Sequence, residues 1–165
     1  MTGAIEAVDL ESRTTLDDHL SLRVWLRLLS CANLIEARTR VRLRDEFATT
    51  LGRFDLMAQL ERSPAGLQMN ELGRRLMVTG GNVTRLTDQL ESEGLVMREP
   101  APKDRRALRV RLTNLGRRTF GAMARRHEEW IVETFGALTR RERLLLYGVL
   151  AKLKANAARP ERSAR

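Results

Sequence analysis

The sequence predicts a mainly α protein with one small β-hairpin set in its second half. Three observations predict it. Apolar residues recur every three to four positions through most of the chain, the period of helices with one buried face. Glycine and proline are few, 11 and 4 in 165 residues, so little interrupts those helices. In one place the period changes: Leu108, Val110 and Leu112 alternate with Arg109 and Arg111, the period-two pattern of a half-buried strand. The length suits one ordinary domain. Hydrophobic residues make up 42% and aromatics only 4%, so aliphatic side chains must build the core.

In chain order, residues 1–15 lack periodicity and are expected to form a mobile arm. From Leu16 to Glu46 a stripe of Leu16, Leu20, Val24, Leu28, Cys31 and Ile35 predicts one long helix, widened by Trp25, Leu29 and Ala32. A helix of that length needs a partner along it, which suggests a subunit interface. Thr49 or Thr50 can cap a second helix with Leu51, Phe54, Met57 and Leu60 on its apolar face. Ser63-Pro64-Ala65-Gly66 ends it. A short helix over 69–77 buries Met69, Leu72 and Leu76. Val78-Thr79 forms a turn, and Thr79 caps the next helix at Asn82. That helix, 80–93, places Val83, Leu86 and Leu90 on one face and stops at Gly94.

A strand follows over 95–98, and Pro100 and Pro102 break it. The second strand comes next. Thr113 then caps a helix to about Phe135, with Leu115, Phe120, Met123, His127, Trp130 and Ile131 as its candidate core. Thr139-Arg140-Arg141-Glu142 has the form of a capping box for a last helix. Leu145, Leu146, Val149, Leu150 and Leu153 are its apolar positions, and a polar tail over 159–165 should fray.

The formal net charge is +9, which points to an anionic partner. The charge is uneven: residues 1–20 carry a net −4, and residues 98–126 a net +8. A single cysteine excludes a disulfide framework. No apolar run approaches a membrane span, and a basic-then-apolar leader is missing at the N-terminus, so a cytoplasmic protein is expected. His19 and His127 lack metal-ligand spacing, and neither a nucleophile–base pair, a carboxylate dyad nor a phosphate-binding glycine loop stands out. An enzyme, a metal and a cofactor are therefore not expected.

The helix from Gly80 keeps Asn82, Thr84, Arg85 and Gln89 off its apolar face. These are side chains that hydrogen-bond base edges in a major groove. Gly80 and Gly81 would let backbone N–H groups approach a phosphate closely. Lys103, Arg105 and Arg106 lie between the two strands, where an arginine can enter a minor groove. Arg109 and Arg111 would meet the phosphate backbone from the solvent face of the second strand. Helix, turn, helix and basic hairpin together form the pattern of a winged helix-turn-helix.

With those residues in view, the sequence resembles the MarR (multiple antibiotic resistance regulator) family of bacterial transcription factors. The resemblance rests on Glu71-Leu72-Gly73-Arg74-Arg75-Leu76, Asn82-Val83-Thr84-Arg85-Leu86, Leu90-Glu91-Ser92-Glu93-Gly94-Leu95-Val96, and Asp104-Arg105-Arg106-Ala107 leading to Leu112-Thr113. It covers about residues 16–155, and departs at Gln68, where the family commonly has a threonine or serine cap.

The resemblance implies one winged-helix domain over 16–158, with 16–48 and 114–158 as dimerisation helices and 49–113 as the DNA-binding lobe. It implies a homodimer on a double-stranded operator, with Arg106 in the minor groove. It also implies a small effector held between the dimer helices and the lobe, on segments carrying Trp25, Arg38, Arg42, Arg53, Phe54, Asp55 and Met57. A looser similarity, in Trp25–Ser30 and Thr50–Met57, is to the branch that senses aromatic acids or their acyl-CoA thioesters. The expected function is a ligand-released repressor. The alternatives are redox sensing through Cys31, which more simply serves as a small buried residue, and sequence-indifferent DNA binding.

Overall fold

Leu20–Phe47 form α1, as the long apolar stripe predicts. The computed structural model describes residues 19–77, 79–101 and 104–159, and side chains outside 101–107. The arm over 1–15, the helix start at Leu16, Val78, Pro102, Lys103 and the tail beyond Arg159 lie outside the described residues, as do the side chains of Arg105 and Arg106. The chain divides into two compact units, one through Ala124 and one from Arg125.

In the first unit, α1 ends where Ala48 turns left-handed (φ 49°) and its N–H returns to the Arg44 carbonyl at 3.0 Å. Thr50 then caps α2 (Leu51–Glu61) by accepting the Arg53 N–H at 3.4 Å. Phe54, Leu56, Met57 and Leu60 of α2 are buried, and Phe54 meets Phe120 with ring centroids 5.4 Å apart. The turn after α2 closes through Gly66 (φ +83°). A Cβ there would lie 2.8 Å from the Val110 carbonyl oxygen, so glycine is required. Leu67–Gln68 form β1, a strand too short for any periodicity to reveal.

Next come α3 (Met69–Leu76), α4 (Gly80–Ser92), β2 (Val96–Ala101) and β3 (Asp104–Leu112). The sheet is antiparallel in the order β1-β3-β2, so β3 is central and β2 is an edge. Leu72 of α3 and Val83, Leu86, Thr87 and Leu90 of α4 are buried, whereas Met69 and Leu76 are only half-buried. Thr87, wholly buried, satisfies its hydroxyl by donating to the Val83 carbonyl at 2.8 Å. Gly94 (φ +69°) ends α4, and the Leu95 N–H reaches back to the Leu90 carbonyl at 2.9 Å.

Cross-strand partners share a face, so the register sorts the sheet. Leu67, Val96, Val110 and Leu112 lie on the inner face and are buried. Gln68, Met97, Glu99, Arg109 and Arg111 lie on the outer face.

Several expectations need correction. Pro100 does not break the strand; it pairs with Leu108 inside β2. Proline is tolerated there because an edge strand need not donate on its free side. The strands consequently run on to Ala101 and from Asp104, with a register shift after Pro100. Leu108 shares the inner face but is 48% exposed, opposite the exposed Pro100. Thr79 makes no side-chain cap; its carbonyl takes the N–H groups of Asn82 and Val83 at 3.1 and 3.2 Å. Leu115 is exposed.

α5 (Asn114–Thr134) begins in the first unit and continues into the second. Thr113 starts it: its hydroxyl accepts the Gly116 N–H at 2.9 Å and donates to the Gly94 carbonyl at 2.7 Å. Gly116 lies so close to the turn between α4 and β2 that a Cβ would fall 1.9 Å from the Leu95 carbonyl oxygen.

In the second unit, Trp130 is buried and meets the His127 ring edge-on at 6.2 Å. A short 3-10 turn over Phe135–Ala137 leads to α6 (Arg140–Ala157). The expected capping box is present: Thr139 accepts the Glu142 N–H, and Glu142 accepts the Thr139 N–H at 2.8 Å. The apolar positions of α6 are not buried in the chain; Leu145 is 68% exposed. In α1, only Thr39 and Leu43 are buried. Cys31, expected to be buried, is exposed.

Candidate nucleic-acid interface

The candidate interface is built on α4, whose sequence gives it two faces. Val83, Leu86, Thr87 and Leu90 turn inward, which leaves Asn82, Thr84, Arg85 and Gln89 on the other side. The structure brings three of these together. Arg85 Nη2 donates to Asn82 Oδ1 at 2.9 Å, and its Nη1 to Gln89 Oε1 at 3.4 Å. Thr84 is exposed and folds its hydroxyl back onto the Gly80 carbonyl at 3.1 Å. Donors and acceptors thus alternate along one polar strip, exposed at Thr84, Arg85 and Gln89 and half-buried at Asn82, and groups of these kinds can pair with base edges.

At the start of α4, a Cβ on Gly80 or Gly81 would meet nothing within 4 Å. The first turn holds no acidic residue that would repel an anion. Because Asn82 and Val83 already bond to Thr79, the phosphate-approach role narrows to the N–H groups of the two glycines.

The acidic residues of α4 are drawn toward the sheet. Arg98 Nη2 pairs with Asp88 Oδ1 at 2.5 Å, and Arg98 Nη1 pairs with the Glu91 carboxylate. The Arg98 N–H also donates to Glu91 Oε1 at 3.1 Å. Burial works to lower the Arg98 pKa, but the bonds to Asp88 and Glu91 outweigh it and hold it above its ordinary value. Arg98 was not among the sequence candidates. The signal was an arginine at an inner-face strand position, with acids at i and i+3 on the preceding helix.

Arg109, expected to face phosphate, does lie on the outer face of β3. There it pairs with Glu99: Arg109 Nε and Nη2 lie 2.8 and 2.6 Å from Oε1, and Arg111 Nε lies 2.9 Å from Oε2. Burial works to raise the Glu99 pKa, and the bonds from Arg109 and Arg111 reverse that and hold the carboxyl below its ordinary value. Residues 105 and 106 belong to β3 by backbone, and their side chains lie outside the description.

The effector candidates are more scattered. Trp25 is 54% exposed on α1, and Arg38 is exposed further along it. They are 13 residues apart, about 20 Å of helix, so one small acid cannot touch both within a chain. Arg42 and Asp55 are half-buried. Phe54 and Met57 belong to the core of the first unit. Arg53 is more suggestive: its side chain is 15% exposed and pairs with Glu93, yet its buried Nε has no hydrogen-bond partner. Among the described residues, no cluster of histidine, cysteine or acidic side chains could hold a metal ion.

Residues 49–108 match a family model described as the MarR family. An uncharacterized HTH-type transcriptional regulator of Bacillus subtilis, YdgJ, is 33% identical over 90 residues, 54% of this chain and 55% of that protein. The transcriptional activatory protein BadR of Rhodopseudomonas palustris is 31% identical over 107 residues, 64% of this chain and 61% of that one. The chain therefore spans little more than half the length of these curated relatives. Among solved structures, a MarR family transcriptional regulator from Silicibacter pomeroyi superposes with a TM-score of 0.73 at 28% identity, covering 87% of this chain and 99% of the other. A MarR family regulator from Streptomyces coelicolor in complex with DNA gives a TM-score of 0.72 at 23% identity, over 92% of this chain and 96% of the other, a likeness of fold.

Proposed function

We propose that this chain is a MarR-family winged helix-turn-helix transcriptional regulator, supported by the family match over 49–108 and the likeness of fold, and that it acts as a homodimer on a double-stranded, pseudo-palindromic operator. The observation that carries this reading is the hydrogen-bonded polar strip Asn82–Arg85–Gln89 on α4, with the neighbouring acids Asp88 and Glu91 held by Arg98. In this reading α4 enters the major groove, Asn82, Thr84, Arg85 and Gln89 meet base edges, and Gly80 and Gly81 approach a phosphate. The wing, with Lys103, Arg105 and Arg106, reaches the adjacent minor groove. The regions 16–48 and 114–158 supply the dimer interface.

Burial supports the dimer. α6 buries no residue within the chain although it carries Leu145, Leu146, Val149 and Leu153, and α1 leaves Leu20, Val24, Trp25 and Leu34 exposed. Long helices with bare apolar faces call for a partner.

The regulatory half of the proposal is repression lifted by a small effector, an aromatic acid or its acyl-CoA thioester. Its support is the buried, unpartnered Arg53 Nε, a donor suited to an anionic ligand. The separation of Trp25 from Arg38 favours an extended thioester over a compact acid if both are used.

Replacing Arg85 by Ala tests the reading. The variant should bind an operator selected by the wild type with a loss of about 1–3 kcal/mol and relaxed base preference. Arg106→Ala should weaken the same complex. Unchanged operator binding by both variants at several salt concentrations contradicts the interface.

A further inference from the structure

Two cations on the outer face of the wing do not stand free. β3 places Arg109 and Arg111 on the same side, two residues or about 7 Å apart along the strand. Glu99 sits across from Arg109 in the register and divides its carboxylate between them: Oε1 takes Arg109 at 2.6–2.8 Å, and Oε2 takes Arg111 at 2.9 Å.

The arginine stems are supported from below by the left-handed turn at Gly66. A Cβ at that glycine would approach Arg109 Cδ and Arg111 Cβ to 3.4 Å. The Glu99 side chain is only 22% exposed, and those of Arg109 and Arg111 are 24% and 35% exposed. This is an anion site with an anion already in it. A guanidinium offers five donors, so each arginine keeps others for a second acceptor, and the three groups together retain one positive charge.

We propose that Glu99 is an affinity-limiting residue: its carboxylate occupies the anion site formed by Arg109 and Arg111 and competes with DNA phosphate for it. The inference rests on the reading of the wing as a DNA-facing element. A phosphate that displaced Glu99 would find two preset arginines, but would have to break a charge-assisted pair on each side. While Glu99 stays in place, the two arginines contribute far less to phosphate binding than their number suggests. They still hold the wing's outer face in register.

The test needs no operator. Binding of the full-length protein to a random-sequence 30-base-pair duplex is measured by fluorescence anisotropy across a salt series, and the slope of log affinity against log salt is read. Glu99→Gln keeps the side chain's shape and an acceptor oxygen but removes the charge. It should bind on the order of ten-fold more tightly near 0.1 M salt and steepen the slope by about one to two units, close to 0.9 for each phosphate gained. Glu99→Asp, which keeps the charge, should remain near the wild type.

Combining Glu99→Gln with Arg109→Ala and Arg111→Ala should abolish the gain. A gain that survives the loss of both arginines is a bulk-charge effect and overturns the proposal. So does a wild-type slope in Glu99→Gln at an unchanged melting temperature, or a lowered melting temperature with no tighter binding. If Glu99→Gln melts below the assay temperature, Glu99→Ala and the arginine pair variant take its place, with the same slope comparison deciding. Absence of salt-dependent duplex binding by the wild type itself would remove the DNA reading, and a binding wild type with an indifferent Glu99 would remove only this inference.

Discussion

Gly116 is the residue whose role is least visible in the sequence and plainest in space. A helix interior ordinarily favours alanine over glycine by roughly 1 kcal/mol. Here an alanine Cβ would fall 1.9 Å from the Leu95 carbonyl oxygen, a backbone atom that cannot swing aside. Gly116→Ala should therefore destabilise the protein by about 1–3 kcal/mol, as overpacking does. A denaturant midpoint that rises instead would contradict the close approach. Glu142 shows the opposite case, a role legible from four letters. The bonds from the Thr139 hydroxyl and N–H hold its carboxyl below the ordinary value. A lowered folded-state pKa means the contribution is present above the unfolded carboxylate pKa and disappears as pH falls through the folded one. The melting difference between the wild type and Glu142→Gln should thus be present at neutral pH and vanish in acid. A difference independent of pH would show that the charge has no part in the cap.

Among elements, those that carry a repeating apolar stripe were legible, whether the chain buries it, as in α2 and α4, or leaves it uncovered, as in α1. α1, α2, α4 and α6 lie within a few residues of their expected spans, and Thr50, Gly94 and Thr139 stand at the boundaries of α2, α4 and α6. Length and pairing defeated the rest. β1 has two residues and exists only because β3 offers it an edge. Pro100 reads as a strand breaker, yet an edge strand tolerates it. The candidate interface divides the same way. The polar strip of α4 follows from its apolar one, whereas the ion pairs of Arg98 depend on how α4 packs on β2, and those of Glu99 on the register between strands. Arg98 fixes how the helix that would read bases sits against the wing. Arg98→Ala leaves Asp88 and Glu91 without their cation, so two uncompensated negative charges stand on the helix proposed to face DNA. Operator affinity should fall by ten-fold or more, about 1.4 kcal/mol or greater, with partial recovery in Arg98→Lys. Affinity equal to the wild type at low salt would show that the clamp does not serve binding.

At the scale of the whole molecule, the account joins two things the chain displays separately: a helix with a polar outer strip on a small winged unit, and terminal helices with uncovered apolar faces. Pairing through those faces would hold two copies of α4 at a fixed spacing, which is why a symmetric operator is expected. Replacing Leu145 and Val149 by polar residues should yield monomers by sedimentation, and operator affinity should fall with them. An unchanged dimer would place the interface elsewhere. The most direct measurement of the central claim is selection of bound sites by the full-length protein from a random-sequence duplex pool, with the complex's stoichiometry determined on the enriched sequence. The account predicts an enriched pseudo-palindrome with half-sites about 10 base pairs apart, two chains on each site, and loss of enrichment in Arg85→Ala. A pool that emerges unenriched, or a single asymmetric site held by one chain, would contradict it.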